Sequence, residues 1–156
     1  MDKPTPKDNE ILIKIHASTV TAGDCEMRRL ELPLMLSFPM RVYAGFLKPK
    51  RIPILGQELA GEVVEIGQNV TSYKVGDQVF GTTGFKFGAY AEYICLPEKP
   101  AGAQGTLTLK PANLTYEEAT AIPTAGFEAL HFLRRANIES GKKVLIIGAG
   151  GSIGTL

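Results

Sequence analysis

Cysteine, histidine and unbalanced charge are all scarce in this chain. Its 156 residues hold two cysteines, Cys25 and Cys95, too few for a disulfide framework or a cysteine-rich zinc site. With no N-terminal signal segment in view, the expected compartment is the reducing cytoplasm. The two histidines, His16 and His131, lack a partner motif, so structural roles are expected for them. Seventeen basic and sixteen acidic side chains leave a net charge of +1. That provides no large field for grasping a nucleic-acid backbone. Lys48, Lys50 and Arg51 form one basic cluster, split by Pro49, which reads as a solvated loop. No apolar run approaches the ~20 residues needed to span a bilayer. The expectation is a soluble protein with neither nucleic acid nor membrane as partner.

What is present is the composition of a globular protein, 44% hydrophobic and 21% charged, with an excess of glycine. Residues 1–9 read as an extended lead-in. Ile11, Ile13 and Ile15 alternate along Glu10–His16, which predicts a half-buried strand. Thr21–Leu30 is compatible with a short helix. Residues 31–53 carry four prolines without a sustained period, the pattern of a binding or mobile loop. From Pro53 to Tyr93 short β runs alternate with glycine turns. Strands are expected at Ala60–Ile66, Gln78–Phe80, Ala89–Leu96 and Thr106–Leu109, in a closed or partly closed antiparallel barrel.

After Leu114 the character changes. Thr115-Tyr-Glu-Glu118 has the spacing of a capping box and starts a helix. Pro123–Ala136 reads as an amphipathic helix, with Phe127, Leu130 and Leu133 at helical spacing. Val144–Ile147 is apolar without alternation, the pattern of a strand buried on both faces. Gly148-Ala149-Gly150-Gly151-Ser152-Ile153-Gly154 follows it directly. A glycine loop at such a junction lets backbone N–H groups approach a pyrophosphate. The spacing is GxxGxxG rather than GxGxxG, because Ile153 occupies the place of the last glycine, and a plain tight turn is the alternative. Two residues follow Gly154, whereas a βαβ unit takes about 30. The expectation is therefore a truncated nucleotide-binding domain, without the segment that would choose between NADH and NADPH.

The ordered runs GQELAGEVVEIGQNV, YKVGDQVFG, FGAYAEY, LTYEEATAIPTAGFEAL and VLIIGAGGSIG carry a resemblance. The chain resembles the medium-chain dehydrogenase/reductase superfamily, in its zinc-independent NADPH:quinone oxidoreductase-like branch. The resemblance implies a mainly β fold with some α. It consists of a GroES-like, partly open β-barrel over 1–118, lacking the family's N-terminal hairpin. A connecting helix follows over 119–156, with the first strand and glycine loop of an incomplete Rossmann domain. It implies NADPH as cofactor, with NADH open, and hydride transfer to a quinone or enone. Zinc-dependent relatives carry a cysteine ligand where this chain has Thr21, and a histidine where it has Gln57, so no metal is expected. Cys25, four residues beyond Thr21, reads as a buried small residue.

By the same resemblance, Thr21 and Asp24 match an Asn-x-x-Asp segment near the nicotinamide, and Gln57 lines the pocket. Tyr43 is a candidate hydrogen-bond donor. Glu128 falls where many relatives have a threonine near the nicotinamide, and either alters polarity there or is a solvated helix residue. Phe85 and Phe87 pack against a flat substrate or form barrel-rim packing. Two further readings stay open: a GroES-like module without catalytic competence, and an alcohol dehydrogenase-type reductase, which Thr21 and Gln57 argue against. If Val144–Ile147 lacks strand neighbours, it is expected to be disordered or packed on another chain, as in a homodimer.

Overall fold

The computed structural model describes residues 2–29, 35, 38, 54–102 and 104–156. Tyr43, the basic cluster and nearly all of the proline-rich stretch lie outside the described residues. Among the described residues, five strands form one antiparallel sheet: β1 (Glu10–Ala17), β2 (Glu58–Ile66), β3 (Gln78–Thr82), β4 (Tyr93–Pro97) and β5 (Thr106–Leu109). Their order is β4-β1-β2-β3-β5, so among the described residues β4 and β5 are the two ends of the sheet. Helix α1 (Ala22–Arg29) follows β1, a 3₁₀ turn (Gly84–Lys86) follows β3, and α2 (Tyr116–Thr120) and α3 (Pro123–Ala136) complete the elements.

The central strands are the apolar ones. Ile13 sits opposite Val63 on β2 and Ile94 on β4. With Ile11, Leu59, Val79 and Leu96 these side chains make the core. Leu12 is also fully buried, so β1 is covered on both faces at residues 11–13 and not half-buried as its alternation predicts. Helix α2 lies against β1 and β2, and its capping box forms as predicted, Thr115 and Glu118 each accepting the other's backbone N–H. Leu59 is wholly buried in this core. Leu59→Ala is expected to cost about 2–5 kcal/mol by urea denaturation.

Several expectations are corrected. Val144–Ile147 pairs with none of β1–β5 and is exposed, with Leu145 at 85% and Ile147 at 90%. A parallel strand needs neighbours to bury its faces, and no described strand lies beside this run. The strand expected at Ala89–Leu96 shortens to Tyr93–Pro97 because the N–H groups of Ala89 and Tyr90 turn back to the carbonyls of Gly56 and Leu55. Cys25 is exposed and its neighbour Asp24 is buried, for a reason given by the hydrogen bonds of α1. Helix α3 has the predicted bounds, but Phe127, Leu130 and Leu133 are about half exposed. No helix among the described residues is long and apolar enough to cross a membrane.

Candidate functional site

The site grows from the first turn of α1. Thr21 precedes that helix, and its Oγ1 accepts the Asp24 N–H at 3.2 Å. In return Asp24 Oδ2 accepts the Thr21 N–H at 3.1 Å and the Thr21 hydroxyl at 2.7 Å. This is a reciprocal capping arrangement with aspartate in the usual place of glutamate. It turns Asp24 inward, to 2% exposure. That explains why Asp24, and not Cys25, is the buried residue of this turn.

Asp24 then reaches across the fold. Its Oδ1 accepts the N–H of Gly56 at 3.1 Å, and the Tyr90 phenol lies within the influence of its charge. Three donors fill most of the about four acceptor positions that a carboxylate offers. Gly56 has φ +92°, and a Cβ there would lie 2.6 Å from Tyr90 Cδ1 and 2.8 Å from Tyr90 N. Glycine is what lets the Tyr90 segment lie against this turn. Next in line, Gln57 is fixed at both ends: its carbonyl accepts the Thr83 N–H at 2.7 Å, and its Nε2 donates to the Gly84 carbonyl at 3.1 Å. Glu58 is 4% exposed and accepts from Thr19 and Thr124.

Burial, followed by the Asp24 carboxylate beside it, pushes the Tyr90 phenol up to about 12. The folded state thus holds the phenolic proton more tightly than the unfolded chain, whose tyrosine ionises near 10. The stability this contributes is fully present below about pH 10 and is lost as pH rises towards about 12. Burial also raises the Tyr73 and Tyr116 phenols, and among these late phenols in a spectrophotometric titration that of Tyr90 is expected to return towards the ordinary range in Asp24→Asn. An unchanged set of late phenols in that variant would refute the assignment to the Tyr90–Asp24 pair.

The structure thus brings together Thr21, Asp24 and Gln57 through Gly56. Phe87 is only 6% exposed and sits at φ +54°, a core position that leaves little of it for a flat substrate, whereas Phe85 is 76% exposed. Glu128 is an exposed residue of α3. Gly148–Gly154 forms a series of turns, with the Gly151 N–H on the Gly148 carbonyl at 2.9 Å and the Thr155 N–H on the Gly151 carbonyl at 3.1 Å. Sequence reasoning did not single out Tyr90 or Glu58 as site residues. The available signal was a carboxylate opening the apolar run of β2, and an aromatic residue just after Gly88-Ala89. His16 stacks on Tyr116 with ring centroids 4.5 Å apart, in keeping with a structural role. Among the described residues, no three His, Cys, Asp or Glu side chains gather in a metal-binding group.

The chain is 34% identical over 98% of its length to the mitochondrial NAD(P)H oxidoreductase RTN4IP1 of Dictyostelium discoideum, of which it covers 42%. It is 33% identical over 98% of its length to the 2-methylene-furan-3-one reductase of Solanum lycopersicum, covering 37% of that protein. The solved quinone oxidoreductase of Coxiella burnetii superposes with a TM-score of 0.80 at 31% identity, over 100% of this chain and 45% of that one. The chain therefore spans about two fifths of the length of these relatives. Residues 7–103 match the model of the alcohol dehydrogenase GroES-like domain. On the sheet order, the site and this match, the chain belongs to the alcohol dehydrogenase GroES-like domain family.

Proposed function

We propose that the chain is the barrel portion, with the entry to the nucleotide-binding portion, of an NADPH-dependent oxidoreductase that reduces a quinone or enone without zinc. The observation that carries this reading is the polar set at Thr21, Asp24 and Gln57. Zinc prefers thiolate and imidazole ligands, and about four of them. Here Thr21 gives its hydroxyl proton to Asp24, and the Gln57 side-chain nitrogen donates to Gly84. The second amide hydrogen of Gln57 is left to donate to a carbonyl compound, and neither Thr21 nor Gln57 supplies the thiolate or imidazole that zinc prefers.

The glycine turn fits a pyrophosphate. No atom lies within 4 Å of where a Cβ would stand at Gly148 or Gly150, so their backbone is open. Gly154 packs so closely on the turn that its Cβ would lie 2.6 Å from Ala149 Cα. Gly148, Ala149, Gly150, Gly151, Ser152, Ile153 and Gly154 would hold the phosphates through the backbone. When bound, the nicotinamide supplies the hydride. The chain's own residues orient and polarise. Gln57 keeps its side-chain oxygen and second amide hydrogen for a ligand, while Asp24 fixes Thr21 so that its hydroxyl acts as an acceptor. In the same reading, Cys25 and Cys95 as free thiols support a reducing, cytoplasmic setting. A second copy of the chain would cover the exposed 144–147 run.

The exposed 144–147 run favours a second reading for this chain taken by itself, a barrel module that holds no nucleotide. Calorimetric titration with NADPH separates the two. The first reading expects saturable binding that disappears in Gly154→Val, where the added side chain has no room. No saturable heat in the unsubstituted chain overturns it for this chain and leaves the module.

A further inference from the structure

Helix α3 starts with a donor problem. An α-helix leaves its first four N–H groups without partners inside the helix. At the start of α3 the N-cap is Ile122, with no side-chain oxygen to offer, and Pro123 at the first helical position has no N–H. Thr124 therefore carries the first free donor. Glu58 Oε1 accepts it at 2.9 Å from 66 residues upstream. The other carboxylate oxygen accepts the Thr19 hydroxyl, and the Glu58 carbonyl accepts the Ser18 hydroxyl at 2.8 Å. One buried side chain thus joins the segment after β1, the start of β2 and the start of α3. A carboxylate at this end of a helix also meets the positive pole of its dipole.

Among the described residues, α3 also meets β3, and little else ties it down. Its buried residues are Pro123 and Ala125, both in the first turn, while Phe127, Leu130, Phe132 and Leu133 are 45–61% exposed. The direction in which the helix leaves the sheet rests on its first turn.

We propose that Glu58 is a positioning residue that caps α3 from the barrel and sets the direction of that helix. Glu128 and the glycine turn follow Thr124 along the chain, so their placement relative to Thr21 and Gln57 passes through this cap. That last step rests on the proposed function; the cap itself does not.

Two substitutions separate the roles of the side chain. Glu58→Gln keeps an oxygen for the Thr124 N–H, and Glu58→Ala removes it. Amide exchange at Thr124 is expected to rise about 10- to 100-fold in Glu58→Ala, the range for a lost hydrogen bond to a charged group. Glu58→Gln is expected to keep most of the protection. Spin labels at Glu65→Cys and Arg135→Cys, in a Cys25→Ser background, report the angle of α3 to the sheet. A single narrow distance distribution is expected in the parent and in Glu58→Gln, and a broad one in Glu58→Ala. Equal protection of Thr124 and an unchanged distribution in Glu58→Ala overturn the proposal. Should that variant fail to fold, the unsubstituted chain decides: a Thr124 amide exchanging like that of an unstructured peptide overturns it, and a protected one supports it. Neither readout needs nucleotide, so its failure is distinct from failure of the NADPH titration.

Discussion

Asp24→Ala is expected to destabilise the protein by about 3–5 kcal/mol, the scale of several lost hydrogen bonds to a buried charged group. The carboxylate is 2% exposed and receives the Thr21 N–H and hydroxyl and the Gly56 N–H. Alanine leaves all three donors without an acceptor. Thr21 lies near the surface and can turn to water, whereas the Gly56 N–H is buried and cannot. Asp24→Asn retains one oxygen but points an amide N–H₂ at other donors, so an intermediate loss is expected. Urea denaturation measures both. A loss for alanine below about 1 kcal/mol, the worth of a single ordinary hydrogen bond, would show that the network does not hold the site together.

Gly56→Ala is expected to cost about 2–6 kcal/mol, combining backbone strain with overpacking. Gly76 provides the control, because both glycines have φ +92°. A Cβ at Gly76 meets nothing within 4 Å, so Gly76→Ala carries the strain alone. At Gly56 the Cβ also meets the Tyr90 backbone nitrogen at 2.8 Å, which cannot move without breaking its bond to Leu55. The difference between the two variants in denaturant isolates the overlap. Equal losses would mean that the Tyr90 segment gives way freely. In that case the late titration of Tyr90 should also vanish in Gly56→Ala.

Local chemistry was legible in the sequence, and long-range pairing was not. Pro123 and Ala136 bound α3 as predicted, because a proline at the first turn is a short-range signal. The Thr115–Glu118 capping box was legible for the same reason. The alternation in β1 located the strand but missed the burial of Leu12, which depends on what covers the second face. Cys25 was expected inside because it is small and apolar, yet Asp24 took that place once its carboxylate had three donors. Thr21, Asp24 and Gln57 could be named from resemblance. Their connection through Gly56, and the reach of Tyr90 and Glu58, depend on contacts between residues far apart in the chain. Val144–Ile147 has the composition of a buried strand, but composition cannot supply the neighbouring strands that bury one.

The order of the elements along the chain has a consequence for biosynthesis. Every strand of the sheet lies between Glu10 and Leu109, so the ribosome delivers the whole sheet before it delivers α3. Chains fold from the N-terminus as they emerge. Glu58 and its Thr19 partner both precede Thr124 in the order of synthesis. The cap on α3 therefore closes last, onto residues that were made before the helix.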